Sequence, residues 1–205
     1  MTSSLSRMLR LVAGAALPIA LAVSLTGCGL DSGSVDKGSL AEDASLEGAT
    51  LTVGSKEFTE QLVLCQITML ALKSAGAEVN EKCGISGSNT VRKALESGSI
   101  DLYWEYTGTA WINYLKETTP LKDPKEQYDA VVKADKEKNK IAWLDPAPFN
   151  NTYGIAVSRK IADDLGITTI SDYAELVKSD PEKASLCVAS EFAGRDDGLP
   201  GLQKA

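Results

Sequence analysis

The sequence predicts an α/β fold built on a parallel sheet. Short β-branched segments alternate with helix-patterned ones from Ala49 onward. The helices between them are long enough to bring the chain back for a parallel strand through a right-handed crossover. Gly- and Ser/Thr-rich turns stand where strands pass into helices, at the carboxyl ends where open parallel sheets hold ligands.

Ahead of this pattern, Arg7 and Arg10 precede an unbroken apolar run from Leu11 to Leu25 with a single proline. A positive n-region before an apolar h-region marks an export signal, and the run is short for a bilayer span. It ends in Leu25-Thr26-Gly27-Cys28, which resembles a bacterial lipobox, so residues 1–27 are expected to be a lipoprotein signal peptide and Cys28 the lipidated residue. Residues 28–47 are small and polar without a period, a flexible tether spanning roughly 25 Å on average. The expected location is the extracytoplasmic face of the cell membrane, lipid-anchored.

Leu51-Thr52-Val53 forms the first predicted strand. Thr59 is read as the cap of a helix whose apolar positions Leu62, Val63, Leu64, Ile67, Met69, Leu70 and Leu72 nearly surround it, which predicts a largely buried helix. Lys73-Ser74-Ala75-Gly76 ends it. Glu78 to Cys83 is the second strand, Thr90 to Ser97 a helix stopped by Gly98, and Ile100 to Trp104 the third strand. A helix around Ala110 to Leu115 follows, and then a charged helix from Lys125 to Lys140, read as a solvated face. Ile141 to Leu144, Tyr153 to Val157 and Leu186 to Ala189 are predicted strands, and Ser171 opens another amphipathic helix.

Removing residues 1–27 takes away Arg7 and Arg10 and no acids, which moves the formal net charge from −7 to −9. An acidic exported chain is a poor partner for nucleic acid. The sequence has no His, which removes His-based triads and the commonest zinc ligand, so neither a metal nor a cofactor is expected. A surface hydrolase with a Ser or Cys nucleophile would lack its base. Cys65, Cys83 and Cys187 remain beyond Cys28. Oxidising surroundings favour one disulfide, and Cys65–Cys83 is preferred because both ends of a βαβ unit approach one sheet edge. Three buried thiols stay open as the alternative.

Candidate ligand groups stand in the loops at 54–59, 84–90 and 105–109. Lys56 and the amides near Thr59 suit an anionic group. Tyr103-Trp104-Glu105-Tyr106 offers ring faces to a cation, and strand alternation turns Tyr103 and Glu105 one way and Trp104 and Tyr106 the other. Each has a bland alternative: a solvated Lys56, a core Tyr153, an Arg195 paired with Asp196 or Asp197. Trp104, Trp111 and Trp143 are read as core.

Five motifs in order carry a resemblance: Gly54-Ser55-Lys56-Glu57-Phe58-Thr59-Glu60-Gln61, Gly87-Ser88-Asn89-Thr90, Asp101 to Thr109, Phe149-Asn150-Asn151-Thr152-Tyr153 and Glu191 to Leu202. From about Leu51 to Ala205 the chain resembles the glycine betaine/choline-binding proteins of osmoprotectant ABC importers. The resemblance implies a periplasmic-binding-protein-like (type II) fold of two α/β lobes, with lobe I at 48–150 and a partial, incomplete lobe II at 151–205. It implies Tyr106 and Tyr153 as walls of an aromatic box, Lys56, Thr109 and Arg195 as contacts to the polar tail, and Glu191 as a group fixing loop geometry. It also implies a small quaternary ammonium ligand, an importer permease as partner, and no catalysis. A non-binding truncated relic and a receptor for another small cationic solute are the competing readings.

Overall fold

The computed structural model describes residues 39–204 apart from residues 44 and 120. The described residues lie in one compact unit, Val35–Ala205. The expected signal peptide, the expected lipidation site Cys28 and the expected tether up to residue 38 fall outside the described residues. Within the expected tether, Leu40–Asp43 is a short helix, α1. Beyond it, Leu46 N–H donates to Ala75 O at 2.8 Å, so the end of the tether packs onto the chain instead of hanging free.

Strand β1 (Thr50–Lys56) pairs in parallel with β2 (Glu78–Ile85), joined by helix α2 (Thr59–Ser74). The third predicted strand is reduced to one parallel bridge, Val53 to Leu102. Gly54 N–H donates to Leu102 O at 2.9 Å and Asp101 N–H to Thr52 O at 2.8 Å. A Cβ on Gly54 would meet Ile100 Cδ1 at 2.5 Å, so only glycine lets the two segments come this close.

Thr59 is the first helical residue of α2, with Phe58 at the cap position and no side-chain cap. The helix buries one stripe, Gln61, Cys65 and Met69, against the strands. Val63, Ile67 and Leu70 are each more than half exposed, against the expectation of burial all round. A two-stranded sheet covers one side of a helix, and among the described residues nothing covers the other. Cys65 in α2 is disulfide-bonded to Cys83 in β2, and Cys187 is a free, exposed thiol.

Helix α3 (Ser88–Glu96) starts two residues earlier than the sequence predicts, after Gly87 at φ 82°. Residues Thr107–Thr109 form α4 and run into a π-helical turn, Ala110–Tyr114. Helix α5 (Pro124–Asn139) is capped by Asp123, whose side chain accepts from Lys125 N and Glu126 N. Its charged sequence reads as solvated throughout, yet Gln127, Val131 and Asp135 form a buried stripe. Val131 joins Ala110 and Leu115 in a second core, with Trp111 and Trp143 packed on it. Arg92 of α3 reaches Asp135 through both terminal nitrogens, at 2.7 and 2.5 Å, clamping α3 to α5.

Downstream come α6 (Arg159–Leu165), α7 (Ile170–Ser179), a 3-10 turn at Pro181–Lys183, α8 (Ser190–Gly194) and α9 (Leu199–Lys204). Helix α7 starts one residue before Ser171, with a capping box between Thr169 and Asp172. The predicted strands at 141–144, 153–157 and 186–189 have no ladder and are irregular. A strand exists only through its partner, and no neighbouring strand lies beside these segments among the described residues.

Candidate functional site

The site grows from the carboxyl end of β1. The register shifts between Gly54 and Lys56, an irregularity of the kind that re-aims a side chain next to a site. Ser55 holds it, its Oγ accepting from Gly84 N at 2.9 Å. Lys56 is thereby turned inward and is 0% exposed. Its Nζ lies 2.5 Å from Glu105 Oε1, a carboxylate whose side chain is 6% exposed.

Glu105 is a hub. Besides Lys56 it accepts from Tyr103 Oη at 2.7 Å, Tyr114 Oη at 2.8 Å and the backbone N–H of Tyr106 at 2.7 Å. Tyr103 and Glu105 share a side, as alternation along the strand predicts, and Trp104 turns the other way to donate to Thr68 Oγ1 at 2.8 Å. Burial first, and the Glu105 charge second, push the Tyr103 and Tyr114 phenols up, so both are neutral donors.

Residues 190–197 bring a second cation. Arg195, 6% exposed, forks onto Asp197 with Nε and Nη2 at 2.8 and 2.7 Å. Its Nη1 donates to Thr109 Oγ1 at 2.7 Å and to Glu191 Oε1 at 3.0 Å. Glu191 accepts from Ser88 Oγ at 2.6 Å and Ser88 N at 3.4 Å, at the start of α3. Glu57 meanwhile accepts from Gly87 N at 3.1 Å. Helix α3 has no cap of its own, so two carboxylates from elsewhere in the chain meet its positive end. Burial raises the Glu191 carboxyl, but Ser88, the Lys56 charge and Arg195 outweigh it and hold the group below the ordinary range.

Each expected box tyrosine carries a protein cation on a ring face. Lys56 Nζ stands 4.8 Å from the Tyr106 ring centre, and the Arg195 guanidinium 5.3 Å from that of Tyr153. Tyr153 is 51% exposed, not core, and meets Phe192 edge to face at 5.0 Å. Burial raises both phenols.

Four of the six expected ligand residues, Thr109, Tyr153, Glu191 and Arg195, are joined through the Arg195 guanidinium. Lys56 and Tyr106 form the other contact pair. Neither cation stands free for an anionic ligand group: Lys56 is paired with Glu105, and Arg195 with Asp197 and Glu191. The alternative of an Arg195–Asp197 pair is the arrangement present. A cavity of about 750 Å³ opens beside the start of α3, lined by Glu191, Arg195 and Asn113 among others, and Lys56, Tyr106, Thr109 and Tyr153 do not line it. Glu105, Asp197, Phe192 and Ser88 were missed as site residues, although the carboxylate inside the aromatic run was the signal for Glu105. Among the described residues no group of His, Cys, Asp or Glu is arranged to hold a metal.

Residues 49–205 match the family model described as the substrate binding domain of ABC-type glycine betaine transport systems. The chain is 39% identical over 158 residues to the glycine-betaine-binding protein of Pseudomonas aeruginosa, covering 75% of this chain and 50% of the relative. It is 36% identical over 154 residues to the glycine betaine-binding protein YehZ of Escherichia coli K12, with coverages of 75% and 50%. The solved structure of apo YehZ from Escherichia coli superposes with a TM-score of 0.50 at 35% identity, over 76% of this chain and 55% of the other. The chain thus spans about half the length of the curated relatives it matches. With the fold, the order of the motifs and the family match in agreement, this α/β chain belongs to the substrate-binding domains of ABC-type glycine betaine transport systems.

Proposed function

We propose that this chain is part of an extracytoplasmic receptor, lipid-anchored through Cys28, that delivers glycine betaine, choline or a related quaternary ammonium solute to an ABC importer permease. Residues 48–150 are its first lobe and 151–205 belong to its second. A trimethylammonium group has no N–H to donate, so ring faces and shape must recognise it, at about 1–2 kcal/mol for each desolvated cation–π contact. The observation that carries the reading is the pairing of Tyr106 with Lys56 and of Tyr153 with Arg195. In each pair one ring face meets a protein cation at contact distance, so the rings are turned to receive positive charge. Thr109, Glu191 and Arg195 tie the segment at 190–197 to the segment at 105–109, the two walls between which the ligand is held.

The test is a tryptophan-fluorescence titration of the full chain with glycine betaine, choline and carnitine. Trp104 lies within the 103–106 segment, held by its bond to Thr68, and reports on the arrangement of that segment. Saturable quenching or enhancement by at least one solute supports the proposal. No saturable response to any of them below millimolar concentration overturns it.

A further inference from the structure

We propose that the face where α3 meets the end of the π-helical turn is a second binding site, for a phosphate-class oxyanion, apart from the tyrosine rings and independent of the receptor reading. A cavity of about 320 Å³ opens there, at the lower end of the size of small-molecule sites. Three cations line it: Arg92 and Lys93 of α3, and Lys116. Glu96 is the one carboxylate in the lining, and Arg92 Nε already holds it at 2.6 Å. Behind Arg92 lies the fully buried Asp135, and counting it still leaves one positive charge over. Beyond Tyr114, Glu105 is balanced by Lys56. The whole chain carries a formal net charge of −7, so the sign is reversed locally.

Several donors on this face have no acceptor. A guanidinium carries five N–H groups. Arg92, 3% exposed, uses one on Glu96 and two on Asp135, which leaves one on each terminal nitrogen without an acceptor among the described residues. Asp135 and the Tyr114 ring, 4.8 Å away, hold the guanidinium in place. The Lys93 and Lys116 ammoniums and the Asn89 amide, all in the lining, have no side-chain partner among the described residues. Lys116 also stands at φ 63°, and Lys140, which follows the lining residue Asn139, at φ 60°. Left-handed positions after a helix usually carry Gly, then Asn. Bulkier residues held there gather at ligand clamps. The donors face one cavity from two walls, α3 and the end of the π-helical turn. A planar carboxylate takes one fork, whereas a tetrahedral oxyanion accepts from several sides, which matches this set of ammonium, guanidinium and amide groups.

The test titrates the full chain with inorganic phosphate by isothermal calorimetry, beside Lys93→Met/Lys116→Met. Arg92 is left unchanged because it clamps α3 to α5. Lys125→Met/Lys160→Met removes the same charge from two exposed lysines outside the cavity and serves as control. Saturable phosphate binding is expected in the parent. It should weaken about tenfold in the cavity variant, the scale of one charge-assisted hydrogen bond, and stay unchanged in the control. Flotation with phosphatidylglycerol and phosphatidylcholine vesicles separates the sources of the phosphate. A preference for phosphatidylglycerol that falls in Lys93→Met/Lys116→Met assigns the site to lipid headgroups. A preference unchanged in that variant, with its phosphate binding weakened, assigns the site to free phosphate. Absence of both effects leaves solvated lysines and overturns the proposal, as does equal weakening by the two double variants. Choline affinity is expected to be the same in all these chains, so the outcome is separate from that of the receptor reading.

Discussion

Replacing Arg195 with alanine tests how much of the 190–197 segment depends on one guanidinium. The side chain is 6% exposed and joins Asp197, Thr109 and Glu191. Removing one partner of a buried ion pair costs about 3–5 kcal/mol, chiefly because the other charge is left desolvated. The carboxylates here are 29% and 12% exposed and recover some hydration, so the low end, about 3 kcal/mol, applies. For a domain of this size 1 kcal/mol is about 2–4 °C in Tm, which predicts a loss of about 6–12 °C. Arg195→Lys keeps the charge but loses the two-pronged geometry and should fall roughly halfway. Thermal unfolding followed by circular dichroism reads both, with Lys183→Ala as control, because its pair with Asp180 is solvent-exposed and contributes little. An Arg195→Ala protein melting within about 1 °C of its parent would refute the reasoning.

Further outcomes are expected. Reducing the Cys65–Cys83 bond, whose partners are 18 residues apart, should remove about 3 kcal/mol of stability. Before reduction, peptide mass spectrometry after maleimide treatment should find the label on the exposed Cys187 and on neither Cys65 nor Cys83. Label on either would contradict the pairing. Acid should destabilise the protein in a defined direction. Glu191 and Asp135 are held low because Ser88, Lys56, Arg195 and Arg92 outweigh burial, and hydrogen bonds from Thr168 and Thr169 pull Asp172 down to about 2. A folded-state value below the unfolded one gives stability that is complete above the unfolded value and is lost as pH falls through the folded one. Tm should therefore be flat from about pH 5 to 8, where no His titrates, and drop below about pH 4. A melting temperature that holds constant down to pH 2 would contradict this.

Local pattern carried the β1–α2–β2 unit, since hydrophobic period, turn residues and helix length all reside in neighbouring sequence. The segments at 141–144, 153–157 and 186–189 have strand-like composition, but composition supplies no ladder partner, and they are irregular in the structure. Helix α6 went unassigned although Ser158 caps it and Gly166 closes it at φ 67°, because seven residues give a weak period. The site shows the same division. Residue types suited to a cation were visible, whereas the partners of Lys56 and Arg195 were set by long-range packing: Glu105 is 49 residues from Lys56, and Thr109 is 86 from Arg195. Asp135 looked like one more solvated charge of α5 until Arg92 and Trp143 were found upon it.

Ligand affinity of Tyr106→Leu and Tyr153→Leu, measured by isothermal titration with choline, bears most directly on the receptor reading. Leucine keeps an apolar side chain but removes the ring face, so each change should weaken binding about tenfold, with Tyr153, half-exposed, giving the smaller loss. Affinity unchanged in both variants, with the folds intact by circular dichroism, would show that the rings do not hold the ammonium.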